Sequence, residues 1–136
     1  MPDWSIRIVD NGTATPFVPQ VLEASRDDLV SWNNTTEECH QPWMLDANNK
    51  PVKDPRTPLD PSKPLDPCDG GDPNDPPNFD RQSRLGVATY MSDCIAPDAS
   101  SRPAFNVTPL AGQTEIYYYC RAHPERDYER GKIEVT

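Results

Sequence analysis

Near the end of the chain, Tyr119-Cys120-Arg121-Ala122-His123-Pro124 sets a thiol and an imidazole three residues apart where an apolar stretch closes. There are two histidines in all, and the other, His40, lies far upstream. One thiolate with two imidazoles is the trigonal donor set that holds a single copper ion in electron-transfer centres, because soft sulfur suits Cu(I) and imidazole suits both oxidation states. A strand ending on Cys120 and a tight loop presenting His123 would bring two donors to one ion. His40 would then tie the N-terminal half to the same point.

The elements that must position these groups read as strands. Trp4-Ser5-Ile6-Arg7-Ile8-Val9 partly alternates and is closed by Asp10-Asn11-Gly12, a pattern of strand and turn. Phe17-Val18 and Val21-Leu22 flank Pro19, which confines them to an edge or an irregular segment. In Asp28-Leu29-Val30-Ser31-Trp32-Asn33, Leu, Ser and Asn fall on one face and Val and Trp on the other, as in a half-buried strand. Phe105 to Thr108, Glu115 to Cys120 and the alternating Lys132-Ile133-Glu134-Val135-Thr136 supply three more. The aromatic residues Trp32, Trp43, Tyr117 and Tyr119 are expected in the core between sheets.

With 136 residues the chain is expected to form a single domain over 1–136. A net charge of −9 works against nucleic acid and anionic lipid as partners, and no apolar run approaches the ~20 residues of an integral membrane segment. Only 35% of residues are apolar and 17 are proline, so the core is expected to be modest and β-built. The region 46–85 is set apart as an insertion: residues 51–77 alone hold nine prolines, which excludes a central strand or helix there. Pro55, Pro58, Pro61, Pro64 and Pro67 recur at the polyproline II period. An extended arm of about 40 Å is expected from Asp54 to Pro67, at ~3.1 Å per residue, with a disordered acidic linker as the alternative.

Two segments resemble the cupredoxins, the blue-copper, plastocyanin-like family. Asp27-Asp28-Leu29-Val30-Ser31-Trp32-Asn33-Asn34 followed by His40-Gln41-Pro42-Trp43 is similar to the family's G-D-x-V-x-W-x-N segment and first ligand, with Asp27 in place of Gly. Phe105 to Gly112, Tyr117 to Pro124 and Gly131 to Val135 are similar to its closing strand, ligand loop and final strand. The resemblance covers roughly half the chain, leaves the Pro/Asp-rich region as an insertion, and implies a Greek-key β-sandwich with His40, Cys120 and His123 as copper ligands. The family's axial Met is missing from Pro124-Glu125-Arg126-Asp127-Tyr128-Glu129-Arg130. Its spacing falls on Tyr128, with Glu125 and Glu129 as neighbouring oxygen donors and no protein ligand as the other alternative.

If Cys120 binds the metal, Cys39, Cys68 and Cys94 remain, which permits one disulfide. Cys68 to Cys94 is expected, with Cys39 to either of them as the alternative. A Cys120 disulfide in an immunoglobulin-like sandwich would instead remove the metal site. The expected function is a periplasmic or extracytoplasmic type 1 copper protein, carrying one ion, that passes single electrons to a redox partner protein, a task that requires no bond chemistry. Met1 is not followed by a signal peptide, and any export signal is expected to have been trimmed. The alternatives are a nitrosocyanin-like copper protein whose open site meets a small molecule, and a non-metal recognition module that uses the polyproline arm.

Overall fold

The computed structural model describes residues 3–10, 16–52, 89, 91–92, 95–101, 104–121 and 128–136. Eight strands are formed among them: β1 (Asp3–Ile8), β2 (Phe17–Val18), β3 (Val21–Ala24), β4 (Leu29–Asn34), β5 (Pro42–Leu45), β6 (Phe105–Asn106), β7 (Glu115–Cys120) and β8 (Arg130–Val135). They make two four-stranded sheets, ordered β2-β1-β4-β6 and β3-β8-β7-β5. The all-β class is as expected. Most of the strands fall where alternation placed them.

Alternation decides which side chains meet between the sheets. In β4, Val30, Trp32 and Asn34 are buried while Leu29, Ser31 and Asn33 are only partly covered. In β1, Ile6 and Ile8 point inward, and in β7 Ile116, Tyr118 and Cys120 do. Apart from the polar Asn34, the buried side chains form one core with Phe17, Leu22, Met44, Phe105, Val107 and Ile133. Trp32 and Tyr118 meet edge to face at 5.4 Å, and Phe17 closes on Tyr118 at 4.9 Å. Such pairs contribute about 0.5–1.5 kcal/mol each beyond the apolar area they bury.

Pro19 acts as the sequence suggested, with a further result. The Val18–Pro19 bond is cis, and the chain changes sheets across it: β2 pairs antiparallel with β1, whereas β3 pairs in parallel with β8. Asp27, standing where the resembled pattern has Gly, has a φ of 72°, a left-handed conformation that Gly enters freely and Asp tolerates. The next residue, Asp28, accepts hydrogen bonds on one carboxylate oxygen from Trp4 Nε1 and Ser25 N, both at 2.9 Å. Chiefly through the Trp4 bond, these hold its carboxyl below the usual carboxylate range.

Three expectations are corrected or completed. β5 was not anticipated as a strand. All four of its residues are buried, so it has no polar and apolar alternation to read. Tyr117 is 45% exposed rather than core, because it points to the opposite face of β7 from Tyr118. Trp43 and Tyr119 are buried, but in a second cluster with Leu45 and Val52. Of the expected insertion, residues 46–52 form a turn that closes on the body, through Asp46 N to Lys50 O, Val52 N to Met44 O and Trp43 Nε1 to Val52 O. The polyproline stretch lies outside the described residues.

Candidate metal centre

Strand register builds one wall of the site. β7 and β8 are antiparallel with Tyr119 opposite Arg130, and Cys120 N donates to Glu129 O at 3.1 Å. The ladder therefore continues one residue past β8, with Cys120 opposite Glu129. Residues directly opposite each other project to the same face, so the thiol and the carboxylate arrive together. On the other flank of β7, Cys120 lies opposite Pro42 of β5.

His40 comes from the segment that leads into β5. Its backbone is held on both sides by Ile95, through His40 N to Ile95 O at 3.0 Å and Ile95 N to His40 O at 2.7 Å. Its ring Nδ1 lies 3.5 Å from Cys120 Sγ and 3.3 Å from Glu129 Oε1. Its Nε2 lies 3.1 Å from Thr36 Oγ1. His40, Cys120 and Glu129 are 2%, 0% and 2% exposed, and their donor atoms all fall within 4.8 Å of one another.

The donor set passes a test of fit to a metal. Atoms bound at about 2.0–2.3 Å to one ion stand roughly 3–4 Å apart; the two separations from His40 Nδ1, 3.5 and 3.3 Å, fall in that range, and the whole set lies within 4.8 Å. A buried carboxylate is costly unless it is paired, hydrogen-bonded or bound to a cation, and here it faces an imidazole and a thiol. Cys120 forms no disulfide, which leaves its sulfur able to act as a thiolate donor and sets aside the immunoglobulin-like bridge.

Of the residues singled out in the sequence, the structure brings His40 and Cys120 together. His123 and Glu125 lie outside the described residues. Tyr128 is 37% exposed, and its neighbour Glu129 is the residue turned toward Cys120. Loop spacing pointed to Tyr128; strand alternation points to Glu129. Counting back along β8 from buried Ile133 through Gly131 leads to Glu129 on the inner face, and that count needed only the sequence. Gly131 is required where it is, since a Cβ there would run into the Tyr118 ring.

The opposite face of β5 and β7 carries a buried cation. Arg121 is fully buried, its N–H donates to Gln41 O at 2.8 Å, and its guanidinium lies 4.5 Å from the centre of the Trp43 ring. Stacking on an aromatic face suits a weakly hydrated guanidinium. Cys39 is disulfide-bonded. Cys68 and Cys94, between which a bridge was expected, lie outside the described residues.

At the level of sequence, no family model and no curated protein matches the chain. Solved structures do match its fold. A purple cupredoxin from Nitrosopumilus maritimus is 16% identical, with a TM-score of 0.55, 97% of this chain and 98% of that one being covered. A plastocyanin from Dryopteris crassirhizoma is 15% identical, with a TM-score of 0.50 over 97% and 99% of the two chains. A mutant fern plastocyanin is 14% identical, with a TM-score of 0.51 over the same shares. At such identities the likeness speaks for architecture, and on that ground, together with its two mixed sheets, the chain has the β-sandwich fold of the cupredoxins.

Proposed function

We propose that this chain is a mononuclear copper protein that carries single electrons, with Cys120, His40 and His123 as ligands and Glu129, rather than Tyr128, as the oxygen donor in the fourth position. The observation that carries this reading is the convergence of Nδ1, Sγ and Oε1 in a buried cluster at the end of a cupredoxin fold. His123 enters through its spacing from Cys120. Bound copper would supply a one-electron couple, and no bond need form or break. The chain's part is to hold the donors in place and keep water away. A thiolate and a carboxylate together neutralise Cu(II) but leave a negative charge with Cu(I), and hard oxygen favours Cu(II). A low potential and a spectrum displaced from the blue type follow.

Closure of the site favours a carrier over a protein acting on a small molecule, since each described donor is at most 2% exposed. The bridge at Cys39 supports an oxidising, periplasmic or extracytoplasmic setting. The charge of −9 suits a basic redox partner protein whose encounter slows as salt rises.

The test is addition of stoichiometric Cu(II) to metal-free protein with Cys120 reduced, followed by visible absorption and electron paramagnetic resonance. An intense thiolate-to-copper band unaffected by azide is the expected result. A colourless product sinks the copper reading. A band that moves on azide addition turns it toward an open site that meets a small molecule.

A further inference from the structure

His40 can present Nδ1 to a metal only if its proton sits on Nε2, and a side-chain network behind the ring dictates where that proton goes. The network starts at Asn34, the last residue of β4, whose side chain is buried. Its Nδ2 donates to Glu38 O at 2.7 Å, Ile95 O at 3.1 Å and Ala96 O at 3.3 Å. Three carbonyls around that atom fix the amide's orientation, since a flipped amide would set oxygen against oxygen. Asn34 Oδ1 therefore faces Thr36, where it accepts from Thr36 N at 3.0 Å and Thr36 Oγ1 at 2.7 Å.

Thr36 Oγ1 has one proton to give and two lone pairs to receive with. Asn34 Oδ1 at 2.7 Å and Glu38 O at 2.9 Å can only accept from it; giving the proton to His40 Nε2 instead would leave Oγ1 lone pair against lone pair with both of these oxygens. One lone pair takes Glu38 N at 3.2 Å, and the other faces His40 Nε2 at 3.1 Å. With its proton committed, Thr36 is left as an acceptor toward the ring, so Nε2 must carry a hydrogen.

We infer that Thr36 is a positioning residue for the metal centre: its hydroxyl, oriented by Asn34, holds His40 with Nε2 protonated and the Nδ1 lone pair aimed at Cys120 and Glu129. The inference deepens the copper reading and rests on it for its consequence, although the proton's position can be tested without metal. Thr36 is buried and, among the described residues, meets the donor set through the His40 ring. Partners of this kind fix the orientation and basicity of a ligand histidine, and their loss typically costs about 10–100-fold in metal affinity.

Two-bond proton–nitrogen correlation spectra of the metal-free, full-length protein, with His40 assigned by a His123→Gln variant, report which ring nitrogen bears hydrogen. A proton on Nε2 is expected, and an unprotonated Nε2 overturns the inference. Thr36→Val keeps the shape and removes the hydroxyl; about a 10–100-fold weaker hold on copper is expected, with a displaced thiolate-to-copper band. Thr36→Ser should restore both. Wild-type affinity and band in the valine variant, or a serine variant as impaired as the valine one, overturns the assignment. If the valine variant does not fold, the serine variant and the spectra of the native chain decide. Failure of the native chain to take up copper removes the functional reading while the metal-free spectra still judge Thr36.

Discussion

The two flanks of the centre are held by different means. On the β7–β8 side, Cys120 and Glu129 are brought together by backbone register, and their neighbours Tyr119 and Arg130 are paired in the same ladder. On the other side, the His40 backbone is held by an isolated bridge to Ile95 and its ring depends on polar side chains, with Asn34 and Thr36 making the bonds that shape the turn before it. A ladder spreads its stabilisation over many peptide groups and tolerates most side-chain changes. A side-chain network is undone by one substitution. The loop flank should therefore be the more fragile, and the strand flank should yield only to changes that disturb packing between strands.

The largest effect tests the strand flank at its donor. Cys120→Ser should remove the thiolate-to-copper band completely while the far-UV circular dichroism stays that of the native chain; a remaining band would mean that another sulfur binds the metal. Asn34→Ala strikes the loop flank. It removes the partner of several buried groups and should cost about 3 kcal/mol in urea unfolding, and a loss under about 1 kcal/mol would show that the backbone alone shapes the turn. Gly131→Ala strikes the ladder where it has least room. Its methyl would press on the Tyr118 ring, and overpacking of this sort costs about 1–3 kcal/mol. The copper band should shift as well, since Glu129 is two residues away on the same face.

The smallest effect lies away from the centre, at Asp28, and provides a control. Its folded pKa is lowered by the hydrogen bonds from Trp4 and Ser25, so its stabilising contribution is present above the ordinary carboxylate value of about 3.9 and is lost as pH falls through the lower folded value. The native chain should be more stable than Asp28→Asn at pH 7, and the gap should close on acidification. A gap that persists in acid would assign the effect to packing.

Where the sequence was legible, one face of a strand met the core and the other met solvent. The alternation in Leu29 to Asn33 and in Lys132 to Val135 made β4 and β8 visible, and the strand ending on Cys120 was anticipated residue for residue. β5 was hidden because both of its faces are covered, leaving Pro42-Trp43-Met44-Leu45 without a period. His40 and Cys120 were found by donor chemistry. Tyr128 was reached by counting positions along a loop, whereas the buried position of Glu129 is reached by counting along the strand that follows it. Thr36 could not be recognised in advance: its role needs the turn that Asn34 folds, and that turn depends on contacts with Ile95 and Ala96 more than sixty residues away.

The sheet change at Pro19 has a mechanical outcome. β2 and β3 are separated by two residues yet belong to opposite layers, β2 bonded to β1 and β3 to β8. The layers are thus stitched at one corner and cannot part like the covers of a book without first unzipping an edge strand. Amide protons of β1 and β8, the inner neighbours of that stitch, should exchange with solvent at comparable rates, slowly and together.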